Sequence, residues 1–231
     1  MALRTIINIL IKYNINNHFN FKKLKINKLY IDNFMNSDNY YMGYNNIPNA
    51  YYKGFICRYY YMDYDTMEKY YKLAIEINNN IDAMLELGNF YMNLNNYMIP
   101  IIPEQVDKMK YYYMMAIKFG SDIAMYNLGN YYYYMYNLDE SEKYYNMAIE
   151  YNNTNALLKL VDIYRWDKMD IDKAKYYCEI AIKFNNIYAM ICMGDFYYET
   201  NYELMKIYYI IGLKKNMYSG IRRFIKFYKG I

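Results

Sequence analysis

The side chains able to do bond-making chemistry are few in this chain and lie far apart. His18 is the only histidine, and residues 10–30 supply no partner that would turn it into a base, a nucleophile's helper or a metal ligand. Cys57, Cys178 and Cys192 form no CxxC pair. They fall in stretches that read as helix, and Cys178 stands where a repeating pattern has Tyr, so they are expected as small buried hydrophobes rather than reactive thiols. Asp162 and Asp195 each follow a repeated small-residue position by one, and two carboxylates can share acid–base work. They are 33 residues apart, however, and carboxylates on helix faces usually point to solvent. There is no phosphate-binding loop and no dinucleotide fingerprint. The expectation is therefore a chain with no catalytic residues, no metal site and no cofactor.

The elements that must position these residues are announced by a repeat. Residues 118–129 read KFGSDIAMYNLG, residues 143–149 read KYYNMAI, and variants of both return about every 33 residues. A fixed period of this size marks stacked repeats. Ala124, Leu128, Gly129 and Tyr132 share one helical face, with Ser121 or Asp122 placed to cap the start. Ala148 comes 19 residues after Gly129, and Tyr144, Tyr145, Ala148 and Ile149 form a second apolar stripe. Each unit thus reads as a helix, a turn and an antiparallel helix.

Small residues recur where the two helices must approach: Gly54, Gly88, Gly129, Val161 and Gly194 in the first, and Ala74, Ala116, Ala148, Ala181 and Gly212 in the second. Gly costs about 1 kcal/mol in a helix interior relative to Ala, so its return implies a packing need. Four residues after each member of the second set stands Asn78, Gly120, Asn152, Asn185 or Asn216, the residue types that best tolerate the left-handed backbone closing a helix. In the second unit Gly88 to Ala116 is 28 residues, and the extra stretch around 92–105 carries Pro100 and Pro103, so it cannot be helical throughout. It is expected to be a surface loop, with Tyr97, Met98, Ile99, Ile101 and Ile102 able to meet a partner.

This order of Ala, Leu-Gly, Tyr, a paired aromatic, Ala and Gly/Asn resembles the Sel1-like repeats of the tetratricopeptide superfamily. Ala83, Leu87, Gly88 and Tyr91 carry the first-helix motif; so do Ala124, Leu128, Gly129 and Tyr132, and Ala189, Met193, Gly194 and Tyr197. Val161 departs from the Gly position, and Met67, Met109 and Ser141 depart from a second-helix Ala that only Ala174 keeps. The resemblance covers about residues 49–220. It implies an all-α, right-handed α-solenoid of about five antiparallel helix-hairpin repeats, acting as an adaptor that holds protein partners.

In such an array one face of each first helix lines a concave groove. The lining positions, three before and one, four and five after the repeated Gly, are Tyr51, Phe55, Arg58 and Tyr59; Leu85, Asn89, Met92 and Asn93; Tyr126, Asn130, Tyr133 and Tyr134; Leu158, Asp162, Arg165 and Trp166; Ile191, Asp195, Tyr198 and Glu199. Aromatics interleaved with Asn, Arg and carboxylates suit an extended peptide, and Trp166, the only Trp, is the expected hot spot. The alternative is a helical-repeat RNA binder that stacks bases on aromatics. Charge speaks against it: residues 46–205 hold 14 basic and 21 acidic residues, net −7, while residues 1–45 carry +4 and residues 206–231 carry +7.

Tyr fills 38 of 231 positions, beside much Asn, Ile, Lys and Met; these residues have AT-rich codons, which discounts the Tyr excess as a functional sign. No window of 18 or more apolar residues exists, so no helix is expected to span a membrane. The odd, small number of cysteines fits reduced thiols in an intracellular, cytoplasmic setting. The start, MALRTIINILIKY, lacks a small-residue cleavage site and predicts no signal peptide. The organisation expected is a basic arm at 1–23, a degenerate cap at 24–48, the array at 49–219 and a short basic cap helix at 220–231.

Overall fold

The computed structural model describes residues 31, 32, 35, 36, 49–97 and 102–214. The expected arm at 1–23, most of the cap at 24–48, His18, Asn216 and the cap helix at 220–231 lie outside the described residues. The chain divides into two compact units, residues 1–119 and 120–231.

The first unit holds two hairpins. In hairpin 1, helix α1 (Asn49–Ile56) continues into a π-turn (Cys57–Tyr61) and pairs with α2 (Tyr64–Asn78). In hairpin 2, α3 (Ile81–Tyr97) pairs with α4 (Pro103–Lys118). The second unit holds three. Helix α5 (Asp122–Tyr134) pairs with α6 (Leu138–Glu150), and α7 (Thr154–Asp162), extended by a π-turn (Ile163–Asp167), pairs with α8 (Ile171–Lys183). Hairpin 5 is α9 (Ile187–Tyr197) with α10 (Tyr202–Lys214). Within each unit the second helix of one hairpin packs on the first helix of the next. The described residues contain no strand, so the all-α hairpin reading holds.

Caps place the helices. Asn80, Ser121 and Asn186 each accept the backbone N–H three residues on, that of Ala83, Ala124 or Ala189, and Asn153 caps α7 through Asn155. Asp63, Asn137, Asp170 and Asn201 do the same for four of the second helices, each satisfying an N–H that the helix leaves unpaired. Helix α4 has no side-chain cap and starts on Pro103, which has no N–H to satisfy. Left-handed backbone falls at Gly120, Asn152 and Asn185 as expected. Asn78 does not adopt it. It is the last residue of α2, and Asn79 turns instead, one position later, matching the later arrival of Ala83. The added length in hairpin 2 is taken up partly by helix, since α3 runs on to Tyr97; residues 98–101 lie outside the described residues.

The repeated Gly is explained by a tyrosine. A Cβ built on Gly129 would stand 2.5 Å from Cδ1 of Tyr145, and one on Gly88 2.5 Å from Cε1 of Tyr113. The same ring lies on Gly54 (Tyr71) and Gly194 (Tyr209). These rings are buried, so they cannot swing away. A tyrosine pair stacks in hairpins 2 to 5: Tyr91 on Tyr112, Tyr132 on Tyr144, Tyr164 on Tyr177 and Tyr197 on Tyr208, with planes 3–18° apart. Hairpin 4 breaks the first rule on both sides at once. Val161 replaces Gly and Cys178 replaces Tyr, both fully buried, so the larger side chain fills the space the missing ring leaves.

That compensation can be transplanted. Gly129→Val alone should overpack, costing about 1–3 kcal/mol. Tyr145→Cys alone should leave a cavity costing about 3 kcal/mol. The double variant should lose at least about 1 kcal/mol less than the sum, read by urea unfolding of all four proteins. Additive losses would show that hairpin 4 is not a complementary exchange.

Candidate functional site

The position after three of the repeated Gly, in hairpins 2, 3 and 5, has an internal task. The Tyr113 hydroxyl donates to Asn89 Oδ1 at 2.7 Å, Tyr145 to Asn130 Oδ1 at 2.8 Å and Tyr209 to Asp195 Oδ1 at 2.8 Å. A ring seated on Gly reaches the neighbouring side chain with its oxygen, and a buried hydroxyl needs that partner. Hairpin 1 has Phe55 at the position, and there the Tyr71 hydroxyl is buried without a partner among the described residues. Hairpin 4 presents the converse: Asp162 is present, but Cys178 has no hydroxyl to give it. Burial pushes the Asp162 carboxyl above the ordinary carboxylate range, with the charge of Asp167 adding to the shift while Lys159 and Arg165 pull against it.

Three expected groove positions are core instead. Phe55, Leu85 and Ile191 are buried, because positions that share a stripe with the Gly seat turn toward the second helix. Leu158 is partly buried against the cluster built on Leu157, Val161 and Cys178. The rings of Tyr51 and Tyr126 lie against the seated rings, 5.7 Å from Tyr71 and 5.8 Å from Tyr145.

The two arginines make the same device in two places. Arg58 forms an ion pair with Glu86 and also donates to the Glu86 carbonyl at 2.8 Å, lying between the rings of Tyr59 and Phe90 at 5.0 and 5.8 Å. The Tyr59 hydroxyl donates to the same carboxylate at 3.1 Å. Arg165 stands 3.5 Å from Asp195, between Trp166 and Phe196 at 4.5 and 4.9 Å. Both arginines leave a π-turn and reach the next hairpin of their own unit. Sequence reasoning placed the arginines, but it missed Glu86, Phe90, Phe196 and Asp167, which lie off the assumed spacing. An acid two before Gly88 and the aromatic two after both Gly88 and Gly194 were the available signs.

What stays open differs between the units. In the first, Asn93 is exposed while Arg58 is nearly enclosed, its side chain 9% accessible. In the second, Tyr134, Trp166, Tyr198 and Glu199 are exposed, and Tyr133 is half-buried with its hydroxyl on Asp167. Asp162 lies among Tyr133, Asp167 and Arg165. The second unit therefore holds a carboxylate without its tyrosine on the same first-helix positions that carry its exposed aromatic rings.

Nothing here forms a reactive thiol. All three cysteines are buried; burial pushes Cys57 up to about 11, and the neighbouring Cys192 thiol together with burial pushes Cys178 higher still. No three His, Cys, Asp or Glu side chains among the described residues are grouped to hold a metal ion. No described helix is long and apolar enough to cross a membrane.

Two solved structures share this fold. A Sel1 repeat protein from Oxalobacter formigenes is 17% identical over 72% of this chain and 72% of its own, with a TM-score of 0.52. A protective antigen present in uropathogenic Escherichia coli strains, displaying an SLR fold, is 16% identical over 79% of this chain, with a TM-score of 0.57. This is the Sel1-like repeat fold. The chain spans 41% of the second protein's length. No protein-family model and no curated protein matches the sequence.

Two substitutions separate holding from presenting. Arg58→Met strands Glu86 in a nearly closed setting and should cost about 3 kcal/mol, against about 1 kcal/mol for Arg165→Met at the longer, more open pair. Equal losses in chemical denaturation would refute this ranking. For Asp162 the raised folded value favours the protonated form. Its stabilising contribution is complete below the unfolded carboxyl value and is lost as pH rises through the folded one. Asp162→Asn should therefore raise stability at neutral pH by a screened, small amount, about 0.5 kcal/mol, and the gain should fade in acid. A thermal melt showing a loss at pH 7 would contradict this.

Proposed function

We propose that this chain is a non-enzymatic scaffold that holds a protein partner as an extended segment on the first-helix face of its Sel1-like repeats. The observation that carries the reading is a contrast among the aromatic residues. One set of tyrosines is buried in the Gly seats, while Tyr134 and Trp166, at first-helix positions of the second unit, stand 61% and 59% exposed. Large exposed rings beside fixed polar groups are the anchors that protein interfaces use. The fold supports the coarser half of the reading, since arrays of this kind mostly serve as binding surfaces. Each unit offers its own contact positions along its first helices: Tyr51, Tyr59, Asn89 and Asn93 in the first, and Tyr126, Asn130, Tyr133, Tyr134, Asp162, Arg165, Trp166, Asp195, Tyr198 and Glu199 in the second. Arg58 joins them through Tyr59 and Glu86, which it orients. The net charge of −7 over residues 46–205 speaks for protein over nucleic acid.

The test is affinity capture from the native cell, run with and without nuclease. The double variant Trp166→Ala, Tyr133→Ala should lower recovery of the captured protein at least about tenfold while far-UV helicity is kept. Unchanged recovery would remove this face from the reading, and recovery that nuclease abolishes would replace it with a nucleic-acid partner.

A further inference from the structure

Asp162 is the one acidic residue after a repeated small-residue seat that a tyrosine does not hold. In hairpin 5 its counterpart Asp195 accepts from Tyr209 at 2.8 Å and faces Arg165 at 3.5 Å. In hairpin 4 the exchange to Val161 and Cys178 removes the hydroxyl and leaves a half-buried carboxylate. Two cations stand three residues away in sequence: Lys159, whose charge acts on the Asp162 carboxyl, and Arg165, which is turned to Asp195 and to the Trp166 and Phe196 rings. Near this carboxylate lie Tyr133 and the exposed Asp167; the Tyr133 ring touches the exposed Tyr134 ring, and the exposed Trp166 stands four residues on from Asp162, on an array of net −7. A half-buried carboxylate with no hydroxyl donor is stabilised by an incoming cation, and aromatic faces favour the same charge.

We propose that the first-helix face of hairpins 3 and 4 is specific for an arginine- or lysine-bearing segment of a protein partner, with Asp162 as the anion that meets the basic side chain. This rests on the scaffold reading and adds the chemistry of its occupant. The charge is what selects the occupant: an acidic segment would meet Asp162 and Asp167, and a nucleic acid would bring phosphates to the same carboxylates.

The protein carries its own reporter, because Trp166 is the sole tryptophan and lies on the proposed face. The full chain is titrated with a capped peptide of three arginines spaced by Gly-Ser, and separately with the same peptide carrying citrulline, which keeps the shape and removes the charge. The expected result is a saturable change in Trp166 emission with the arginine peptide, and no saturation with the citrulline peptide. Asp162→Asn should weaken the arginine peptide at least about tenfold, with its circular dichroism unchanged. Equal binding of the two peptides, an unaffected Asp162→Asn variant, or no saturable change with the arginine peptide would each overturn the assignment. So would a short RNA that binds the wild type and binds Asp162→Asn more tightly. Capture of a native protein that needs Trp166 and Tyr133 but not Asp162 would sink this inference and leave the scaffold reading standing.

Discussion

A tyrosine ring laid on bare backbone sets the terms for the rest of the molecule. Two helices can close on each other at Gly88, Gly129 and Gly194 only because no Cβ competes with the ring. Once seated, the ring carries a hydroxyl into a setting that water does not reach freely, and the nearest side chain has to accept it. Asn89, Asn130 and Asp195 do so. Hairpin 1 ranks the two requirements. Phe55 offers no acceptor and the Tyr71 oxygen has no partner among the described residues, yet the ring keeps its seat. Packing of the ring is therefore the primary constraint, and the hydrogen bond is secondary to it.

Hairpin 4 meets that constraint in another way. Val161 and Cys178 restore the packing with different volumes, so the hairpin pairs its helices like the others. The polar half of the arrangement is not restored. Asp162 keeps its place in the helix but loses the donor that would fix it, and burial raises its carboxyl. A local rule broken without a compensating partner inside the fold is where function is expected. The same residue type one hairpin on, Asp195, is held by both Tyr209 and Arg165.

Much of this was legible before any coordinates. The Gly and Ala series, the hairpins, the cap at Ser121 and the left-handed turns at Gly120, Asn152 and Asn185 are written in residue types at a fixed period. Such features depend on neighbours in the chain. The face chemistry was less legible, because it depends on which atoms meet across helices. A spacing rule put Asn89, Asn130 and Asp195 on an open groove without seeing that a tyrosine 14 to 24 residues away reaches them. It also put Phe55, Leu85 and Ile191 there, although their apolar character argued for the core. The joint change at Val161 and Cys178 was visible in the sequence. Its meaning needed the seat geometry.

The π-turns explain why the ties between hairpins are unequal. Hairpins 1 and 4 place 20 residues between the small residues of their two helices, where hairpin 3 places 19. One added residue in a regular helix would rotate everything after it by about 100° and turn the stripe away from its partner. Both hairpins absorb it in a wide turn, Cys57–Tyr61 or Ile163–Asp167. Both then close as hairpin 3 does, on a left-handed residue directly before the capping Asp or Asn: Met62 before Asp63, Met169 before Asp170, Tyr136 before Asn137. Register is preserved, and the widened backbone sends Arg58 or Arg165 toward the next hairpin's carboxylate. Hairpin 3 lacks the extra residue and has Tyr133 at that position, whose hydroxyl meets Asp167 of hairpin 4; further links are Tyr164 and Lys168 on Glu142, and Asn153 on Asp122 at 2.9 Å. The buried rings thus hold each hairpin while the first-helix face carries charges that vary from one hairpin to the next. Such an array can change what it recognises without changing how it folds.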